Sequence, residues 1–313
     1  MNVTVIDLEL SVASPDDAAD MVEVIHAAFG ARPPLDPPST AIDETPESVA
    51  ATLQRSGGLL ARVNGRPAGV ILIAPVSPGL ATFQRVSVHP DFQRHGVASA
   101  MVAAAQDYAA ILGYEHVELF ARGEFEDLIR FWQHRGFEVI REAPYGVMLG
   151  RSLPVVVRVP TGEAMQDLGA RLADVLAPGD LIVASGELGA GKTTLTQGIG
   201  RGLGSVEPVI SPTFVLSRVH QSAAGRPDLV HVDAYRLTSA DEIDDLDLDA
   251  SMDRSVTVVE WGEGMVESLA SSRLEIDIRP SPDTTTTERT VLLRPVGERW
   301  RQVSLAGLRS DRG

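Results

Sequence analysis

Apolar and polar positions along this chain change their period repeatedly, and each change predicts an element. Residues 8–12 form the first strand. Residues 16–29 are amphipathic at helical spacing, with Ser14 as cap and Pro15 at the first helical position. A proline-rich loop spans residues 32–38, and Thr45-Pro46-Glu47 opens a second helix that runs to about Arg55. Strands follow at 58–63, 67–74 and 81–88, the first two joined by the hairpin turn Asn64-Gly65. A helix over 97–112, a strand near 116–120, a helix over 125–135 and two closing strands complete the first half. Leu153-Pro154 is the expected boundary. The second half predicts strands at 155–159, 181–185, 255–260, 274–278 and 290–294, with an extended pair at 213–220 and 229–233. Its helices span 163–176 and 194–203. Residues 281–287 form a polar loop, and the tail after Gly307 is expected to fray. The expectation is a two-domain α/β chain, 1–153 and 154–313, with a mixed α/β sheet first. The second sheet is of phosphate-loop type with helices on both faces.

Composition narrows the function classes. At 313 residues the chain is long for one core. Its hydrophobic fraction of 44% is ordinary for a globular protein. The absence of cysteine excludes disulfides, zinc–thiolate sites and cysteine nucleophiles, and fits a cytoplasmic location. No signal peptide and no membrane-spanning run is visible. A formal net charge of −16 argues against a broad nucleic-acid surface, so any RNA recognition is expected to belong to a partner.

The densest chemistry lies at residues 186–193, GELGAGKT, which match the form G-x-x-x-x-G-K-[ST]. Glycines let successive N–H groups face one anion, and the following helix adds its positive dipole end. Lys192 suits the β- and γ-phosphates, and the Thr193 hydroxyl suits Mg²⁺. Two later strands end in carboxylates, LVHVD at Asp233 and VTVVE at Glu260. Strand ends of that kind lie beside a phosphate loop in a doubly wound sheet, where they can hold Mg²⁺ directly or through water. The acidic run at 241–249 reads as a solvated helix face.

In the first half, residues 86–102 read VSVHPDFQRHGVASAMV. A strand ends in a His-Pro turn, and small residues at Gly96 and Ala98 open a helix whose free N–H groups suit a pyrophosphate. This segment, with FWQHRGF at 131–137, resembles the Gcn5-related N-acetyltransferases (GNAT) over roughly residues 5–152. The resemblance implies acetyl-CoA held by Val86, Val88, Gln93, Arg94, His95, Gly96, Val97 and Ala98. It also implies an acidic tyrosine where this chain has Trp132, and a glutamate where it has Phe120. Glu118 and Tyr145 are the substitute candidates for proton transfer. His89, His95 and His134 are expected in turn, loop and helix surface. The acceptor is unspecified, and a non-catalytic docking or regulatory module is the alternative.

GELGAGKTT, SPTF at 211–214, HVDAYR at 231–236 and VEWGE at 259–263 together resemble the TsaE family over roughly residues 155–297. The resemblance implies a Mg²⁺-dependent ATPase, weak alone, that joins a TsaB–TsaD complex making N6-threonylcarbamoyladenosine in tRNA. It would meet tRNA only through that complex. By position, Glu187, Leu188, Gly189, Ala190, Gly191, Lys192, Thr193 and Thr194 form the ATP cradle. Thr193 and Glu260 ligate Mg²⁺, Asp233 orients water or the metal shell, and Thr213 senses the γ-phosphate end. Trp261 and Tyr235 shape the nucleotide or partner surface. The alternative is a small-metabolite kinase, which needs an acceptor-binding lid that the residues after the loop helix do not obviously supply.

Overall fold

The computed structural model describes residues 7–212, 215–237, 242, 248–266, 269–281, 283 and 285–309. The chain divides into two compact units, Met1–Leu153 and Pro154–Gly313. Among the described residues no helix is long and apolar enough to cross a membrane.

The first unit is built on seven strands: β1 (Leu8–Val12), β2 (Gly58–Val63), β3 (Arg66–Ser77), β4 (Leu80–Val88), β5 (His116–Arg122), β6 (Glu138–Ala143) and β7 (Gly146–Ser152), in the sheet order β1-β2-β3-β4-β5-β7-β6. Neighbours are antiparallel except β4 and β5, which run parallel. Helices α1 (Ala18–Gly30) and α2 (Pro46–Arg55) bury Met21, Ile25, Val49 and Leu53 against Leu60, Val70 and Leu72. Helix α3 (Val97–Ile111) also packs on β3, where Met101 fills the space a side chain on Gly69 would need. The short α4 (Glu126–Gln133) buries Trp132 edge-on against Phe137, ring centroids 5.0 Å apart.

The parallel pair β4–β5 is short. Only Leu80, Ala81 and Thr82 pair, with His116, Val117 and Glu118, and beyond them the two strands have no registered partners in each other. A bulge in β4 accompanies the separation. Leu72 faces Gln84 but Val70 faces Ser87, so Arg85 and Val86 oppose Ile71 alone, with Arg85 at φ 51°. The sheet therefore forks, and β4 leads from the fork directly to the turn before α3.

The second unit carries β8 (Val155–Val159), β9 (Leu181–Ser185), β10 (Ser217–His220), β11 (Asp228–Asp233), β12 (Ser255–Glu260), β13 (Arg273–Pro280) and β14 (Arg289–Val296), in the order β10-β11-β12-β9-β13-β14-β8. The central four, β11, β12, β9 and β13, are parallel, and antiparallel strands flank them. Every residue of β12 is buried, as expected of a parallel strand covered on both faces. One face is covered by α5 (Gly162–Ala173), α6 (Lys192–Leu203) and the short helix Glu298–Arg301 carrying Trp300. The other is covered by Leu237, Leu248, Met252 and Val266, with a short helix at Asp249–Met252.

Several expected boundaries shift for local reasons. α5 ends at Ala173, not Leu176, because Pro178 and Gly179 follow. α6 starts at Lys192, two residues before the expected Thr194. Strand β10 covers only Ser217–His220 of the expected extended run, which Leu216 enters at φ 63°. The acidic run at 241–249 lies almost wholly outside the described residues.

Helices α5 and α6 approach closely through glycines. A methyl on Gly198 would collide with the backbone carbonyl of Gln166, and one on Gly169 with that of Leu195. We expect Gly198→Ala to destabilise the chain by about 1–3 kcal/mol through overpacking. An unchanged thermal unfolding midpoint would contradict the close approach.

Candidate functional site

The site in the second unit follows from strand register. β9 ends at Ser185 and runs into the phosphate loop. On β12, Glu260 pairs with Ala184 of β9 on one side and with Asp233 of β11 on the other. Both carboxylates therefore stand at the carboxyl ends of parallel strands, beside the loop. Both are buried.

Gly191 caps α6 at φ 112°, with no side chain on the helix's first N–H groups. Donors left without a side-chain cap at a helix start are ones an anion can take. Glu187, Leu188 and Gly189 are exposed at the rim; Leu188 is 86% exposed. Ala190 is buried, and Thr194 is half-buried.

Lys192 is buried, and its Nζ donates to the carbonyls of Gly186 at 2.8 Å and Glu187 at 3.0 Å. It also lies 3.6 Å from the centre of the Trp261 ring. Burial pushes the Lys192 ammonium below its ordinary value, while Glu260 and Asp233 pull it upward. The loop thus holds a cation on its own carbonyls and on an aromatic face. Trp261 reaches that place from β12 through a left-handed backbone, φ 63°, with Tyr235 beside it at 5.3 Å between ring centres.

Thr193 Oγ1 donates to the Glu260 carboxylate at 2.9 and 3.1 Å. Asp233 Oδ1 accepts from the Tyr235 N–H at 3.1 Å, which closes a turn over the end of β11. The structure thus brings Lys192, Thr193, Asp233 and Glu260 together. Thr213 lies outside the described residues. Among those residues no cluster of three or more His, Cys, Asp or Glu side chains could hold a metal by itself. A hydroxyl and a carboxylate at a phosphate loop do fit Mg²⁺, a hard cation that takes few protein oxygens and completes its shell with phosphate and water. His231 was not singled out among the chemistry of the sequence. It is fully buried, with Nε2 2.7 Å from Glu260 Oε1. Its signal was one polar residue within an otherwise apolar strand.

In the first unit, Gly96 caps α3 at φ 79°, again with no side chain on the helix's first donors. Gln93, Arg94, His95 and Gly96 are exposed, Val86, Val88 and Ala98 half-buried, and Val97 buried. These residues form one continuous lip from the end of β4 into α3. Glu118 sits at the last paired position of the fork, buried and gripped by Arg141 through two nitrogens at 3.0 and 3.2 Å. Tyr145 lies apart in the turn between β6 and β7, 61% exposed, with the Arg122 guanidinium over its ring. Trp132 is a core side chain and Phe120 is exposed. Of the three histidines, His89 accepts from the Asp91 N–H in its turn, His95 is exposed in the loop, and His134 ends α4.

Comparison with known proteins finds a different family in each unit. The family model described as "Threonylcarbamoyl adenosine biosynthesis protein TsaE" matches residues 159–291, and that of the "Acetyltransferase (GNAT) family" matches residues 22–137. A tRNA threonylcarbamoyladenosine biosynthesis protein TsaE from Streptomyces coelicolor is 57% identical over 138 residues, 44% of this chain and 93% of that protein. The protein of that name from Bacillus subtilis is 40% identical over 39% of this chain and 74% of its own length. Among solved structures, Bacillus subtilis YdiB is 30% identical, with a TM-score of 0.38 over 47% of this chain and 89% of that one. A PaiA N-acetyltransferase from Thermoplasma acidophilum in complex with coenzyme A is 14% identical, with a TM-score of 0.42 over 47% of this chain and 99% of that one.

Both helix caps need a backbone that a side chain disfavours. Gly96→Ala and Gly191→Ala should each cost about 1–2 kcal/mol, since neither added methyl meets a close neighbour and only the left-handed φ opposes it. Denaturation midpoints equal to the parent's would contradict this.

Proposed function

The chain belongs to the TsaE family through its C-terminal unit and carries a GNAT acetyltransferase domain ahead of it, and from this we propose that it is an ATP-hydrolysing subunit of the machinery that makes N6-threonylcarbamoyladenosine in tRNA. Its working partner is a TsaB–TsaD-like complex, which carries the tRNA contact. The GNAT domain binds acetyl-CoA, with the acceptor unassigned. The observation that carries the reading is the contact of Thr193 with Glu260, beside a loop that already holds the Lys192 cation.

Bound ATP supplies a phosphoanhydride, and Mg²⁺ offsets the charge that develops as it is cleaved. The chain's own residues do the positioning. The N–H groups at the start of α6 take phosphate oxygens. Lys192 exchanges the carbonyls of Gly186 and Glu187 for the terminal phosphates, a better partner for an ammonium in a partly dry site. Thr193 and Glu260 would hold the cation, since the threonine hydroxyl and the carboxylate already meet. Asp233, one strand further, orients water or the metal's outer shell. Thr213, by its place in the SPTF segment, is assigned to sensing the γ-phosphate end.

In the first unit the start of α3 would receive the pyrophosphate of acetyl-CoA, and the fork between β4 and β5 would leave room for its thiol-bearing arm. Trp132 cannot protonate a leaving thiolate. Glu118, engaged by Arg141, can take a proton from an amine only through water or after that ion pair opens.

Removing Lys192 takes away the charge that stabilises the transferring phosphoryl. Lys192→Ala should therefore lower ATP turnover by about 100-fold or more in a phosphate-release assay. A rate equal to the parent's would contradict the assignment. Turnover of the parent should rise when a TsaB–TsaD pair is added, and the gene should restore the tRNA modification in cells depleted of their own TsaE. For the first unit, calorimetric titration with acetyl-CoA should give saturable heat. Heatless titration at millimolar ligand would remove the acetyl-CoA assignment.

A further inference from the structure

His231 occupies the middle of β11, in register with Arg218 of β10 and Val258 of β12. It is fully buried. Its neighbours along the strand, Leu229, Val230 and Val232, are apolar, as are Val256, Val258 and Val259 across β12; the buried polar side chains nearby are Thr257 and His220, whose ring centre lies 6.4 Å away. For packing alone an aliphatic side chain would serve. The imidazole is costly there, because Nδ1 is buried with no hydrogen-bond partner. What it makes is one bond, from Nε2 to Glu260 Oε1 at 2.7 Å. A carboxylate can only accept, so Nε2 carries the proton and Nδ1 is the orphan.

We propose that His231 is a positioning residue for the cation site: it pins one oxygen of Glu260 and thereby presents the carboxylate to Thr193 in the orientation that Mg²⁺ needs. The proposal rests on the Mg–ATP reading of the site. A carboxylate at the end of a strand turns freely about its last bond. Two donors remove that freedom here, and they come from opposite sides of the sheet order. Thr193 approaches from the loop after β9, and His231 from β11. Thr193 is needed as a ligand, so it cannot also be relied on to hold Glu260 when the cation enters. His231 can, because it is fully buried and its one hydrogen bond is to Glu260. Partners of this outer kind typically set metal affinity by 10–100-fold without touching the metal.

The test uses the full chain with His231→Leu, which keeps volume and loses the donor, and His231→Gln, whose amide offers an N–H at similar reach. A fluorescent ATP analogue is titrated first in EDTA and then at increasing Mg²⁺, and the Mg²⁺ concentration giving half-maximal ATP turnover is measured alongside. His231→Leu should raise that concentration by about 10–100-fold. It should leave affinity in EDTA within about twofold of the parent, and turnover should recover at saturating Mg²⁺. His231→Gln should restore most of the Mg²⁺ affinity.

A parental Mg²⁺ requirement in His231→Leu would overturn the proposal. So would an equal loss in His231→Gln, or a parallel fall of affinity in EDTA, because a merely structural histidine would damage both bindings together. If His231→Leu lacks a cooperative thermal transition, His231→Asn replaces it: its amide is too short for Glu260, and it should behave as the leucine variant does. A parent that binds no nucleotide under any condition would overturn the ATP reading and this proposal with it. Binding with an unaltered Mg²⁺ requirement overturns this proposal alone.

Discussion

The hydrogen bond from Thr193 to Glu260 joins residues 67 apart in sequence, and it forms only because β9 and β12 run parallel in one register. Ala184 pairs with Glu260, so the chain leaving β9 passes immediately beside that carboxylate. A slip of one residue would turn Glu260 to the opposite face. Register is therefore the constraint on which the site depends, and the apolar core secures it. β12 is buried along its whole length, and moving it would take Val256, Val258 and Val259 out of both hydrophobic clusters at once. Lys192 is tied to the same register through Trp261, whose N–H donates to the Ala184 carbonyl and whose ring lies under the ammonium.

The first unit uses the opposite device. Its opening exists because a parallel pair stops pairing. After Thr82 and Glu118, β4 and β5 part, and the bulge at Arg85 and Val86 lets β4 stay bonded to β3 while it does so. Beyond the fork β4 runs on to Val88 and leads into the lip at Gln93 to Ala98. The ion pair of Glu118 with Arg141 stands at the vertex, where a buried carboxylate needs a partner. A position that resembles a general base by location is thus occupied with holding β6 to the fork.

Much of this was legible in the residues, and what was not has a physical reason. Apolar runs that end in a carboxylate announced Asp233 and Glu260, because a charge is tolerated only where a buried strand leaves the sheet. Glycine and lysine spacing announced the loop. The true start of α6 was hidden because Lys192 and Thr193 are both loop chemistry and the helix's first two residues. His231 was hidden because periodicity assigns a residue to a face and says nothing of its partner on the next strand. Glu118 and Arg141 lie on strands that are not adjacent, with β7 between them, so no local pattern links them. Trp132 was visible as a departure from its family's tyrosine. Only the packing against Phe131 and Phe137 shows that it serves the core.

The two glycine-capped turns invite comparison because they share one backbone device. Gly96 and Gly191 both start a helix from the left-handed region, and both leave the first N–H groups uncapped. They differ in what surrounds those donors. At α6 a buried lysine, a threonine and two buried carboxylates converge within reach of the cap. At α3 the polar part of the lip, Gln93 to Gly96, is exposed, and Arg94 is its cation. A phosphate that is only held needs donors and little else, since its charge does not change. A phosphoryl group that is transferred develops charge in the transition state, and that charge must be met by fixed cations in a drier place. Under the proposed function the same cap would suit a carrier's pyrophosphate in one unit and a reacting triphosphate in the other. The difference between them resides in the side chains that β11 and β12 deliver, not in the turn itself.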